Sequence, residues 1–257
     1  MNITILTLFP EMFQGFATNS IMKRALGKGV ASLKVVNIRD YTKDKYGRTD
    51  TPPIGGGAGL IEKCQPIVDC LSANRTPSSR VILMSPRGKT YDEAMAKRFA
   101  TYDDLVIVCG HYEGIDERVN AYVDELVSIG DYILTGGEIP AMAISDSVIR
   151  LLDGAISKDS LTDESFNDNT LEYPQYTEPY DYEGATVPDI LYCGNHEAIA
   201  KWRRKQSLLL TKQYRPDIFE KLTLSKQDKK LLAEEESGET PKWEAEALEK
   251  GKKFIKK

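Results

Sequence analysis

Histidine occurs only twice in this chain of 257 residues, as His111 and His196. With no cluster of His and Cys, the sequence argues against a zinc site. Cysteine is almost as scarce: Cys64, Cys70, Cys109 and Cys193 form no CxxC pair. Buried free thiols in a reducing, cytoplasmic setting are expected rather than a disulfide framework. Long apolar runs are missing, and none approaches the roughly 18 residues of a membrane span. The start, MNITILTLFPEMF, has no basic region and no small-residue cleavage site, so no signal peptide is expected. It reads instead as a first buried strand, Ile3–Phe9, stopped by Pro10.

Charge is scarce in one sense only. The net charge of −5 argues weakly against a nucleic-acid partner. Its distribution argues the other way, because His196 to Lys257 holds 16 Lys and Arg against 11 Asp and Glu, a balance of +5. The preceding residues therefore hold 34 − 16 = 18 bases and 39 − 11 = 28 acids, a balance of −10. Lys201–Arg215, KWRRKQSLLLTKQYR, carries six bases and no acid, a surface on which a polyanion can dock.

What is present is strand–helix alternation. Candidate strands are Ile3–Phe9, Leu33–Ile38, Val81–Met84, Leu105–Cys109 and Glu125–Ile129. Candidate helices are Ser20–Leu26, Gln65–Ser72, Asp92–Phe99, Ile115–Ala121 and Ile139–Leu152. This pattern reads as an α/β fold with a mainly parallel sheet. Arg39–Gly59 interrupts it with a long loop rich in Gly and Pro, a length usual for functional or disordered segments. Asp153–Asn195 carries ten acids and one lysine and reads as a linker or an ordered cover. Asn195 then caps a helix running to about Leu209. Short helices are expected near Asp217–Leu222 and Lys226–Leu232, followed by a frayed or weakly helical tail. The domains expected are 1–158, a linker or cover at 159–195, and a helical part at 196–257.

Glycine is concentrated where chemistry is expected. Gly110, Gly114, Gly130, Gly136 and Gly137 fall within 28 positions, each group following a buried apolar run. Glycine lets the backbone bend sharply or approach a ligand closely, so these turns predict a crevice at the carboxyl ends of the strands. The run Ile54-Gly55-Gly56-Gly57-Ala58-Gly59 lacks the lysine of a phosphate loop and the spacing of a dinucleotide fingerprint. A loop closing over substrate and a plain surface turn remain the alternatives. Ser85-Pro86-Arg87-Gly88 reads as a sharp exit from a strand. His111 is expected to be a solvated loop histidine. Asp116, Glu117 and Arg118 lie in the first turn of an expected helix, where the dipole favours the two acids, and Arg150 fits a helix C-terminus, where it favours a cation. Ser160 to Asp163 has the spacing of a capping box.

Taken together, LFPEMF, Arg39-Asp40 followed by GGGAG, Gln65-Pro66, SPRG, CGHYEGIDER, SIGDYILTGGEIPAM, DSVIR, ESF, LEYPQYT and NHEAIAKWRRKQSL resemble the bacterial tRNA (guanine-N1)-methyltransferase family of the SPOUT class. That family modifies guanosine 37 beside the anticodon. The match runs in order from Leu8 to Leu208. The resemblance implies a deep trefoil knot at the end of the α/β domain, a small C-terminal helical domain, and a homodimer with shared active sites. It also implies S-adenosylmethionine as cofactor and tRNA as partner, with Mg²⁺ at a site no motif reveals.

By this resemblance Leu83, Ser85 and Pro86 line one side of the cofactor, and Gly110, Tyr112 and Glu113 the next. Ile129, Gly130, Asp131, Tyr132, Ile133 and Leu134 wrap the adenine, with Gly136, Gly137 and Pro140 behind. Arg150 faces guanine O6. The family base is the aspartate of Asp-Ser-Phe; here Glu164 holds that position, with Asp163 beside it as the alternative. Ile54 stands where the family loop usually has tyrosine. Lys201, Arg203, Arg204 and Lys205 would hold tRNA phosphates. The alternatives are a methyltransferase of the same class acting on another nucleotide, and a non-catalytic RNA-binding module. Cofactor-induced thermal stabilisation separates the second from an enzyme.

Overall fold

The computed structural model describes residues 1–157 and 164–253. Two compact units divide the chain, Met1–Lys158 and Asp159–Lys257.

The first unit is built on strands β1 (Asn2–Thr7), β2 (Ser32–Asn37), β5 (Arg80–Thr90), β6 (Asp104–Val108) and β7 (Glu125–Ser128). They form one five-stranded sheet in the order β2-β1-β6-β5-β7, and every pairing is parallel. The short strands β3 (Asp50–Thr51) and β4 (Ile61–Glu62) pair separately. Side chains alternate across the central strands. Ile3, Ile5, Ile82, Met84, Leu105 and Ile107 enter one buried cluster, while Leu6, Val81, Leu83, Val106 and Val108 enter another. Strands buried on both faces need apolar residues at every position, which is why they appear in the sequence as continuous β-branched runs.

Helices cover both faces: α1 (Gln14–Thr18), α2 (Ser20–Gly27), α3 (Cys64–Asn74), α4 (Glu93–Phe99) and α5 (Glu138–Ile149). Asp92 caps α4 by accepting from the Met95 N–H at 2.8 Å, so that helix starts where the cap dictates. All four cysteines are free. No helix among the described residues is long and apolar enough to cross a membrane.

Three expectations change. The strand containing Val81–Met84 does not end at Ser85. It pairs again with β7 through Lys89 and Thr90, leaving Ser85–Gly88 as a bulge. Gly88 makes this possible, because a Cβ there would lie 2.3 Å from the Val127 backbone nitrogen. Ile115–Ala121 is not an α-helix but a 3₁₀ turn at Glu117–Tyr122. Ile115 is bridged to Glu62 and the Asp116 N–H is bonded to the Glu62 carbonyl, so these residues run extended and helix can begin only after them. The third change concerns the tail.

The second unit contains helices α6 (His196–Tyr214), α7 (Pro216–Phe219), α8 (Lys226–Ser237) and α9 (Lys242–Gly251). Asn195 caps α6 as expected, accepting from Ala198, and α6 runs five residues beyond the expected Leu209. A Ser225–Asp228 capping box opens α8 and left-handed Gly238 closes it. Of the tail, expected to be frayed or weakly helical, Lys242–Gly251 is helical as α9 and packed. Ala247 joins Ile190, Cys193, Ala198 and Trp202 in a core, and a Cβ on Gly251 would lie 2.5 Å from the Cys193 Cα. Before α6, the chain from 164 forms an ordered cover: Leu171 donates to Thr211 and accepts from Ser207 on α6.

Candidate functional site

The bulge in β5, the turns after β6 and β7 and the start of α5 carry the predicted cofactor residues of the first unit, and three segments meet there. The turn after β6 touches the loop before α5, since His111 bridges Gly136 and the Gly137 N–H donates to the Gly110 carbonyl at 2.7 Å. The end of the buried part of β5 joins them. A Cβ on Gly137 would lie 2.8 Å from the Cys109 Cα and 3.1 Å from the Met84 Cβ. Glycine at 137 is therefore a packing requirement, although its φ of −83° suits any residue.

Leu83, Gly137 and Pro140 are buried behind this junction. Ser85, Gly110, Ile129, Gly130, Leu134 and Gly136 are half-buried, while Pro86, Tyr112, Glu113 and Asp131 face solvent. Ile133 is 80% exposed and Tyr132 54% exposed. Large apolar groups left open beside glycine turns form a surface suited to a flat apolar ligand. Tyr112 has φ of 57°, a conformation uncommon outside glycine, at the tip of the CGHYEG turn. A substitution test follows. Gly137→Ala should lower stability by about 1–3 kcal/mol through overpacking, whereas Gly15→Ala, with nothing within 4 Å of its Cβ, should not. Thermal unfolding of the two variants checks this.

Beneath this wall lies a group of buried polar side chains that the sequence did not announce. Glu138 is 1% exposed and accepts from the Thr7 hydroxyl at 2.7 Å. Its other oxygen is 3.5 Å from His111 Nδ1. Glu62 is also 1% exposed and accepts from the His111 backbone N–H at 2.5 Å. His111 is thus not the solvated loop histidine expected. Its ring packs 4.5 Å from that of Phe9 and faces a buried carboxylate. Glu138 sits in the first turn of α5, a place acids favour, which is the only hint the sequence offered. Nothing in the sequence near Glu62 marked it.

Arg150 is half-buried at the C-cap of α5, its N–H bonded to the Asp146 carbonyl. Asp163 lies outside the described residues, as does the Ser160–Asp163 capping box. Glu164 belongs to the second unit, where it lines a groove with Tyr173, Tyr176, His196, Arg203 and Arg204.

The four residues of α6 expected to hold tRNA phosphates divide in two. Arg203 stacks over the Tyr173 ring at 4.7 Å, and Lys201 pairs with Glu197 at 2.7 Å on the helix surface. Arg204 is held by Asp228 at 2.8 Å and also by Asp168, raising its pKa. Lys205 is 7% exposed and paired with Glu235 at 2.6 Å. Lys205 is shut inside the unit, whereas Arg204 stays on the groove with its guanidinium engaged by two carboxylates. The sequence run of bases hides this, because helical spacing turns consecutive residues to different faces. Among the described residues, no group of three or more His, Cys, Asp or Glu side chains is arranged to hold a metal ion.

A family model described as tRNA (Guanine-1)-methyltransferase TrmD matches residues 1–221. A curated protein of Clostridium perfringens named tRNA (guanine-N(1)-)-methyltransferase is 52% identical over 234 residues, covering 90% of this chain and 99% of its own length. A protein of the same name from Clostridium acetobutylicum is 51% identical over 238 residues, covering 92% and 98%. Another, from Clostridium botulinum, is 50% identical over 234 residues, covering 90% and 97%.

Proposed function

Because the chain belongs to the tRNA (guanine-1)-methyltransferase family, we propose that it methylates N1 of guanosine 37 in tRNA, with S-adenosylmethionine as donor. It is a tRNA methyltransferase, and so an enzyme. The family match over residues 1–221 carries the reading.

The residues at the three-segment junction fit the cofactor. Ile129, Ile133 and Leu134 offer aliphatic surface to adenine. The glycines at 110, 130, 136 and 137 let main-chain donors and acceptors come close. When bound, the cofactor supplies an electrophilic methyl on its sulfonium. The protein does the rest. Guanine N1 carries a proton and is a poor nucleophile until it leaves, so Glu164 is assigned as general base, with Asp163 the alternative. Negative charge then grows on O6, where the Arg150 guanidinium is assigned to stabilise it. Holding the reacting atoms in line supplies much of the remaining acceleration. Mg²⁺ has no evident ligand set among the described residues, and no step above runs through it.

Binding of tRNA is assigned to the basic face of the second unit. Arg203 and Lys201 hold phosphates, while Arg204 and Lys205 keep the helices in place. The target base must leave its stack, which costs less in a loop than in a duplex. The deep trefoil knot and the homodimer with shared active sites belong to the same proposal. In support of the knot, the chain leaves edge strand β7, crosses past β5, and enters α5 beside the end of β6. In support of a dimer, Met12, Ile133 and Ile139 are exposed apolar side chains on the first unit.

Methyl transfer to a transcript bearing G37, compared with the same transcript bearing A37, tests the assignment. Product only with G37 is expected. Equal transfer to both moves the target to another nucleotide. No transfer, with no thermal stabilisation by S-adenosylhomocysteine, would make the chain a binding module.

A further inference from the structure

We propose that Glu62 is a positioning residue, a latch that ties the glycine-rich loop at 54–59 to the turn at 110–116 and so sets the wall against which the cofactor rests. The proposal rests on the cofactor reading above.

The latch has a main-chain part and a side-chain part. Along the main chain, Glu113 N–H donates to the Leu60 carbonyl at 3.1 Å, Glu62 N–H to the Gly114 carbonyl at 2.9 Å, and Asp116 N–H to the Glu62 carbonyl at 2.9 Å. These bonds hold the second half of the turn. The Glu62 carboxyl reaches its first half, accepting from the His111 N–H at 2.5 Å. His111 follows Gly110, whose carbonyl receives the Gly137 N–H. One side chain thus links the glycine-rich loop to the point where all three cofactor-facing segments meet. Gly59 lets that loop come in close: its φ is 73°, and a Cβ there would lie 2.2 Å from the Glu113 Cγ.

The surroundings decide the protonation state of the latch. Glu138 from α5 and Asp50 from β3 face Glu62 with negative charge, Arg39 from the 3₁₀ turn at 38–41 faces it with positive charge, and His111 donates its N–H. Burial, reinforced by Glu138, pushes the Glu62 carboxyl up to about 8, against the opposing pull of the His111 N–H. The geometry bears on this as well, because Oε2 is buried without a hydrogen-bond partner, so a carboxylate there would place charge on an oxygen that no donor stabilises. At neutral pH a neutral carboxyl therefore accepts through Oε1. Above about 8 a second buried charge appears beside Glu138; its bond from the His111 N–H tightens, but desolvation and the repulsion of Glu138 act against the folded arrangement and push the loop and turn apart. The linkage has a definite sign. The folded-state value lies above the unfolded one, so the stabilisation is full below the unfolded value and lost as pH rises through about 8.

The test uses the full chain, with S-adenosylhomocysteine as probe. Calorimetric Kd is measured from pH 6.5 to 9.5 for the wild type, Glu62→Gln and Glu62→Leu, with amide hydrogen exchange of His111 and of Val106 compared at one pH. The wild type is expected to lose about tenfold in affinity across that range, as the charge gained on Glu62 meets desolvation and the Glu138 charge and displaces the turn. Glu62→Gln, which still accepts at the same place, should match the wild type at pH 6.5 and show no such loss at high pH. Glu62→Leu should bind about tenfold more weakly than Glu62→Gln at every pH, with exchange at His111 accelerated relative to core Val106. Equal affinity in Glu62→Leu and Glu62→Gln, or unchanged exchange at His111 in Glu62→Leu, overturns the latch. A step at high pH that survives in Glu62→Gln overturns its titration. If exchange responds as expected while the wild type binds no S-adenosylhomocysteine, the latch stands and the cofactor reading falls.

Discussion

Glu164→Gln should cut the rate of methyl transfer by about 10²–10⁴-fold while leaving the S-adenosylhomocysteine Kd unchanged, the range expected when a general base is removed. Glutamine has the same shape and keeps a carbonyl acceptor, so positioning of the substrate survives and only proton removal is lost. The separation between kcat and cofactor affinity makes the result diagnostic, because a folding defect would lower both. A further signature is a rate for the variant that keeps rising with pH, as solvent takes over the removal of the N1 proton. Single-turnover transfer to a G37 transcript measures all of this. Should Asp163→Asn alone produce the loss while Glu164→Gln does not, the base is the neighbouring carboxylate.

Arg150→Ala should cost about 10²–10³-fold in kcat, the range for losing one fixed donor at a developing oxyanion. The argument is one of timing. Charge on O6 is small in the bound substrate and large as the N1 proton departs, so a cation beside it acts mainly on the transition state. KM for tRNA should therefore change far less than kcat. Arg150→Lys should recover only part of the rate, since an ammonium lacks the planar fork of donors. A KM increase that accounts for the whole effect would instead make Arg150 a residue of uniform binding. The helix context favours a stable scaffold for the test: Arg150 is a C-cap whose backbone bond to Asp146 does not depend on its side chain.

Much of the fold was legible along the chain. Strands such as Leu105–Cys109 could be read because burial on both faces demands β-branched and aliphatic residues without a break. The Asn195 cap could be read because its side chain answers a local need, one unpaired N–H at a helix start. The continuation of β5 beyond Ser85 could not, since what makes it possible is the backbone of β7 lying against Gly88. The packed tail was missed for a similar reason. Trp243, Ala247 and Gly251 carry little weight as a pattern until Cys193 and Ile190 are placed opposite them.

Within the site, the glycine turns and their apolar neighbours were evident from spacing alone. The division of α6, with Arg203 stacked on Tyr173 and Lys205 shut in with Glu235, was not. A run of bases has one sign along the chain and several directions in space.

The amino-acid order by itself determined the buried cores of the five sheet strands, where the backbone can bend, and where positive charge gathers. Those properties depend on each residue and its near neighbours. Only the tertiary structure decided that Glu62, His111 and Glu138 share one buried space, with Thr7 reaching Glu138 across 131 positions. Desolvation and the repulsion of like charges depend on distance through the protein, not along it, and no local pattern encodes that distance.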